Sequence, residues 1–198
     1  MVHHNERTDL DRLRQIIEGR RSVRHYRADS VPEDLIARVL DMALWAPSGW
    51  GRQGCSFVVV QGSVRKSLQE LFCDALGEVR PILENIYPRE KGYVDKLMDF
   101  FSTYGSAPVL VLAYAGRLPN GEDDVLTAAV ALQNFFLAAH AAGLGSTWTD
   151  VMRVREEEIN SIVDVRNQKL VCIAPLGYPD EQPKPAPRGK GRVSWIGF

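Results

Sequence analysis

Arg20-Arg21-Ser22-Val23-Arg24-His25-Tyr26-Arg27 sets four arginines and a histidine in eight residues, directly after a glycine. The glycine, Gly19, ends a helical pattern in which Leu10, Leu13, Ile16 and Ile17 share one face over residues 10–19. The basic stretch itself reads as extended or loop. In an extended segment alternate side chains share a face, so Arg20, Ser22 and Arg24 point together. Two guanidiniums and a hydroxyl on one face suit a phosphate, because arginine forms bidentate, charge-assisted bonds. A basic surface turn has the same pattern, so the rest of the chain has to decide between them.

Downstream, Ser30, Pro32 and Glu33 carry the signals of a helix N-terminus. The helix runs to about Trp45 and buries Leu35, Ile36, Val39, Leu40 and Ala43. Ala46-Pro47-Ser48-Gly49-Trp50-Gly51-Arg52-Gln53-Gly54 then breaks the pattern as a tight loop. Its glycines permit close backbone approach to a ligand, and Ser48 and Gln53 offer hydrogen bonds. Residues 56–61 read as a buried strand and 64–76 as a helix. Residues 77–105, punctuated by Pro81, Pro88 and Gly92, read as two short amphipathic pieces. Their Tyr87, Tyr93, Phe100, Phe101 and Tyr104 are either a cover over something or an ordinary packed helix pair.

A second buried strand spans 108–115. Residues 125–142 are alanine-rich and apolar on nearly all sides, which predicts a central helix or one central to an interface. Gly143-Leu144-Gly145 ends it, and Ser146-Thr147-Trp148-Thr149-Asp150 follows as a loop that either lines a planar cofactor or caps the helix and buries a tryptophan. A short helix at 156–163 and a third strand at 168–176 lead to Gly177-Tyr178-Pro179. The tail holds a second basic group, Lys184, Arg188, Lys190 and Arg192. It ends in Trp195-Ile196-Gly197-Phe198, which needs a surface to pack on, in its own chain or in a partner subunit.

The 198 residues suit one domain with a real core. Hydrophobic residues at 45% and charged residues at 25% describe a globular chain. A net charge of −1 gives no electrostatic reason to expect nucleic acid or an anionic membrane as partner. Three cysteines without a CxxC pair argue against a disulfide framework and fit a reducing, cytoplasmic setting; Cys55 and Cys172 sit in apolar runs as buried thiols. The first residues are polar, with no secretion signal, and no apolar run is long enough to span a bilayer. His3 and His4 lack nearby ligand-type residues, and no metal motif is present. GxGxxG after a strand, GxxxxGK[ST] and GxSxG are all absent.

Four pieces, in order, resemble the FMN-dependent nitroreductase family. They are Arg20-Arg21-Ser22-Val23-Arg24-His25-Tyr26 for its RRSxRxY/F opening and Ala46 to Phe57 for its APSxxNxQPWxF loop. Ala138-Ala139-His140-Ala141-Ala142-Gly143-Leu144-Gly145 matches AAxxxGLG, and Leu176-Gly177-Tyr178-Pro179 with the basic tail matches its final element. The resemblance implies an α+β fold with a central, mostly antiparallel sheet flanked by helices. It implies one domain over 1–198, a variable cover insert at about 77–105, and an entwined homodimer with FMN at the subunit interface. It assigns the FMN phosphate and ribityl chain to Arg20, Arg21, Ser22 and Arg24, with Arg188, Lys190 and Arg192 from the tail. It sets Pro47, Ser48, Gly49, Gly51 and Gln53 against the partner's flavin, and Thr147, Trp148 and Thr149 along its N5 side.

The implied activity is an oxidoreductase that takes electrons from NADH or NADPH and gives them to a small planar acceptor such as a nitroaromatic or quinone, with no catalytic acid or base required. Two departures matter. Gly51 replaces the loop asparagine that hydrogen-bonds the flavin ring, and Gly54-Cys55 replaces the Pro-Trp pair. They leave open a flavin-binding or flavin-sequestering protein with little turnover, or an FMN-dependent dehydrogenase of a small metabolite. Relatives with this fold also include a dehalogenase of iodinated tyrosine and an enzyme that makes a cobamide base.

Overall fold

Thr8 starts the first helix as a capping box: its hydroxyl accepts from the Asp11 backbone, and the Asp11 carboxylate accepts from the Thr8 backbone. The computed structural model describes residues 8–197; the His3–His4 pair and the terminal Phe198 lie outside them. Helix α1 spans Asp9–Gly19, and its apolar residues Leu10, Leu13 and Ile17 remain exposed. Helix α2, Glu33–Leu44, does not use Ser30 as its cap. The helix begins after Pro32, whose carbonyl accepts from Leu35 and Ile36, so Ser30 stands two residues outside its first turn.

Among the described residues, four strands form one antiparallel sheet in the order β1-β2-β4-β3. They are β1 (Cys55–Val60), β2 (Val109–Ala115), β3 (Gly145–Ser146) and β4 (Lys169–Gly177). Every residue of β2 is buried, as its uninterrupted apolar run predicts for a strand covered on both faces. The two-residue β3, in a stretch that reads as loop, is too short to carry a periodic signal.

Helix α2 and helix α5 (Val125–Ala141) cover one face, with Val39, Leu132 and Phe135 packed on Val111 and Ala174. Helix α3 (Gly62–Ile86), α4 (Lys91–Thr103) and α6 (Glu156–Ile162) cover the other, where Phe72, Leu83, Phe100 and Ile159 meet Leu112 and Ile173. The second half of α3 corrects the sequence expectation. Pro81 removes one backbone donor and crowds the carbonyl four residues back, yet the helix passes through it. Leu68, Phe72, Ala75, Val79 and Leu83 form one unbroken buried stripe, and that burial outweighs a single lost bond. The residue four back is Gly77, the least bulky available. Phe100, Phe101 and Tyr104 face inward around Phe72, so most of the aromatic insert is core.

Gly105, just after α4, shows where this layer meets the basic segment. Its φ is +63°, its carbonyl accepts from Tyr26 N at 3.0 Å, and a Cβ there would stand 1.8 Å from the Arg24 carbonyl oxygen. Gly105→Ala is expected to lose at least ~2 kcal/mol of stability through steric overlap and left-handed strain. Gly77→Ala, inside α3 with nothing within 4 Å of the new Cβ, is expected to gain up to ~1 kcal/mol. Urea unfolding midpoints of the two variants check both signs.

Candidate functional site

The basic segment lies extended along the free edge of the sheet, as its pattern predicts. Ser22 bridges Ser146 in parallel, Val23 N donates to Ser146 O at 3.2 Å, and Tyr26 bridges Pro179. Val23 and Tyr26 turn inward and are buried, and the Tyr26 hydroxyl donates to Val23 O at 2.5 Å. The Glu181 carboxylate, from the start of the tail, accepts from the backbone N–H groups of Arg24 and His25. Edge segment and tail are thereby tied together through the backbone.

Arg20 is half-buried, with its guanidinium 6.0 Å from the centroid of the Phe136 ring. Burial, then the charges of Arg188 and Arg21, hold its pKa below the ordinary arginine value. Arg188, from the second basic group, is near enough for its charge to add to that lowering. Among the described residues, no ion pair uses Arg20, Arg24 or Arg188. Cations without a counter-charge favour an anionic ligand. Close by, Ser146 is 5% exposed and its buried hydroxyl has no hydrogen-bond partner among the described residues, an expensive state for a buried polar group. The sequence pattern reads Ser146 only as loop; its place directly after Gly143-Leu144-Gly145 is the one signal that points to it.

Other candidates go elsewhere. Arg21 donates to the carbonyls of Glu18, Gly19 and Arg20 and so caps α1. Lys190 and Arg192 are exposed tail residues. Thr147 and Thr149 are buried, and the Thr149 hydroxyl donates to Ile173 O at 2.5 Å. Trp148, between them, points out at 39% exposure, its ring 6.4 Å from that of Phe136. With Arg24, Tyr87, Tyr93 and Asp150 it lines a cavity of about 150 Å³. Tyr87 and Tyr93 meet edge to face above α4, the part of the insert that does act as a rim.

The loop 46–54 is not part of this cluster within one chain. Gly54 abuts Asp124, the N-cap of α5, whereas Gly145 and Val23 lie beyond its C-terminus. Seventeen helical residues separate those ends, or about 25 Å. In the loop, Ser48 Oγ accepts from Gln53 N at 2.9 Å, and Pro47, Gly49 and Gly51 are exposed. Trp50 sits at φ +58° and is 94% exposed. Cys55 is half-buried rather than buried, and burial pushes its thiol up to about 11; Cys172 is buried and pushed up to about 12, so neither is set up as a thiolate nucleophile.

The model of the nitroreductase family matches residues 17–178. The chain belongs to the nitroreductase family. It is 31% identical over 193 residues to the iodotyrosine deiodinase of Thermotoga neapolitana, covering 94% of this chain and 98% of that protein. Among solved structures, oxidized iodotyrosine deiodinase bound to FMN and 3-iodo-L-tyrosine shares the fold with a TM-score of 0.77 at 24% identity, over 94% of this chain and all of that one. The FMN-dependent nitroreductase NfnB of Mycobacterium smegmatis, in complex with NADPH, shares it at 0.73 and 23%, over 94% of this chain and 100% of that one. Among the described residues no helix is long and apolar enough to cross a membrane.

On the reverse side of the segment, His140 packs against Gly19 and shares a cavity of about 370 Å³ with Arg21 and Glu181. Burial, then Arg20 and Arg21, lowers its pKa. The unfolded chain therefore takes up this proton at a higher pH than the folded one, and stability falls as pH drops below about 6.5. His140→Gln is expected to flatten that fall. Urea midpoints of both proteins between pH 8 and pH 5 check it, and parallel curves would count against the assignment.

Proposed function

We propose that this nitroreductase-family protein is an FMN-dependent oxidoreductase, working as a cytoplasmic homodimer that takes electrons from NADH or NADPH and passes them to a small planar acceptor. The observation that carries the reading is the unpaired Arg20–Arg188 cluster beside the orphaned Ser146 hydroxyl. A phosphate monoester with close to two negative charges would satisfy both, so the residues present fit the group. When bound, FMN supplies the redox chemistry. Arg20, Ser22 and Arg188 hold the phosphate, and Ser146 donates to an oxygen of the phosphate or ribityl chain. Arg24 and Trp148, together on the aromatic cavity, face the ring, and Tyr87 and Tyr93 exclude water from one side of it. No side chain has to move a proton in this scheme.

The length of α5 supports the dimer. Leu126 and Val130 on α5, Leu13 and Ile17 on α1, and Met42 on α2 leave apolar surface exposed that a second copy would cover. Two copies packed with α5 helices antiparallel bring the loop 46–54 of one to the Arg20 end of the other, which no folding within one chain achieves. The Thermotoga relative extends the acceptor class from nitroaromatics and quinones to halogenated phenols.

Gly51 and Gly54, which lack any side chain for the ring, favour one second reading: a flavin-sequestering protein with slow turnover. Bound FMN that NADH and NADPH fail to reduce anaerobically would select it, and fast reduction with acceptor turnover would remove it.

Purified protein is expected to be yellow and dimeric, with Arg20→Ala weakening FMN about ten- to a hundredfold, since charge-assisted bonds are worth roughly 1.5–3 kcal/mol each. Riboflavin, which lacks the phosphate, should lose little. Arg24→Ala should weaken both ligands alike. Titrations of both flavins against the wild type and each variant decide it; protein that takes up no FMN ends the proposal.

A further inference from the structure

Phe136 is 6% exposed and sits one turn before His140 in the last part of α5. The patterning of α5 explains it as core, and Phe135 beside it is core: wholly buried, stacked 6.2 Å from Phe57 against the sheet. Phe136 has different neighbours. The Arg20 guanidinium lies over its ring at 6.0 Å, and the Trp148 indole approaches at 6.4 Å with the planes tilted by 53°. Phe135 backs it at 5.5 Å, edge to face. Arg20 comes from the edge segment and Trp148 from the loop after β3, two pieces of chain more than a hundred residues apart that both meet this one ring.

We propose that Phe136 is a positioning residue that fixes Arg20 for the flavin phosphate and Trp148 for the flavin ring at the same time. The inference rests on the flavin reading above. A guanidinium that feels the charges of Arg188 and Arg21 is pushed toward solvent, and among the described residues no carboxylate pairs with Arg20. An aromatic face attracts a guanidinium without neutralising it. The ring therefore keeps Arg20 over the site while leaving its full charge for the ligand, which an ion pair would not do. A guanidinium already held in place loses less freedom on binding, so the preference for a phosphate-bearing ligand rises. On its other side the same ring sets the tilt of Trp148, which otherwise stands half in solvent.

The test is a double-mutant cycle read as the ratio of FMN to riboflavin affinity. Phe136→Leu keeps an apolar side chain of similar bulk and removes the aromatic face. It is expected to weaken FMN about tenfold and riboflavin by no more than about threefold, so the ratio falls. In an Arg20→Ala background the same substitution should leave the ratio unchanged, because Phe136 acts through Arg20. Phe136→Tyr, which retains the ring, should restore the ratio. Phe135→Leu, with a similar loss of thermal midpoint, should leave the ratio as in the wild type, which separates positioning from stability. The emission of bound flavin should also rise in Phe136→Leu as Trp148 loses its fixed approach.

An unchanged ratio in Phe136→Leu, equal loss for both ligands, or the same fall in both backgrounds overturns the link to Arg20. Unchanged flavin emission overturns the link to Trp148. Wild-type protein that binds neither flavin overturns the cofactor reading itself, a result separable from all of these.

Discussion

The approach of Val23 to Gly145 is the contact on which the site depends. A Cβ on Gly145 would stand 2.8 Å from the Val23 side chain, so only glycine lets the two chain segments lie this close. With that spacing Val23 N reaches Ser146 O, Ser22 joins the sheet edge, and the extended geometry turns Arg20, Ser22 and Arg24 away from the buried Val23. Gly105 makes the matching approach from the other layer against the Arg24 carbonyl. The basic segment is thus gripped through its backbone from two sides, and its side chains remain available.

That grip carries an electrostatic cost. Cations gathered at one edge repel each other, and after burial, the larger cause, that repulsion helps lower the pKa of Arg20 and of His140. Among the described residues no carboxylate pairs with Arg20 to offset the repulsion. Arg21 spends its donors on the end of α1, and Glu181 accepts from backbone instead of pairing with a guanidinium. Regions that break the local rules of pairing and satisfaction are where function concentrates. The orphaned Ser146 hydroxyl belongs to the same pattern.

Helix α5 organises the rest. It packs on the sheet through Phe135 against Phe57, against α2 within the same core cluster, on the end of α1 through His140 against Gly19, and on Arg20 through Phe136. A helix with that many neighbours needs apolar residues around most of its circumference. Its length also keeps the two glycine-containing loops at its ends apart, which is why one chain alone brings together only part of the predicted site.

Much of this is legible in the local chemistry of the sequence. Uninterrupted apolar runs mark β2 and β4, because a strand covered on both faces has no polar alternation; β1 carries a similar run yet only Val60 of it is buried and Val59 is exposed, because it is the edge strand of the sheet. Gly19 marks the end of α1 and Gly143 the end of α5, and alternation along Arg20 to Arg24 places the side chains of Arg20, Ser22 and Arg24 on one face. The order of the four motifs points to the family. Contacts between distant segments decide the remainder. Pro81 reads as a breaker until the buried stripe of α3 is seen to continue past it. That Thr149 turns inward on Ile173 of β4 and Trp148 outward is not visible in the loop's sequence. Which tail cation lies near enough to Arg20 to act on its charge, and the neighbours of Phe136, depend on the packing of segments far apart in the chain, which no local pattern encodes.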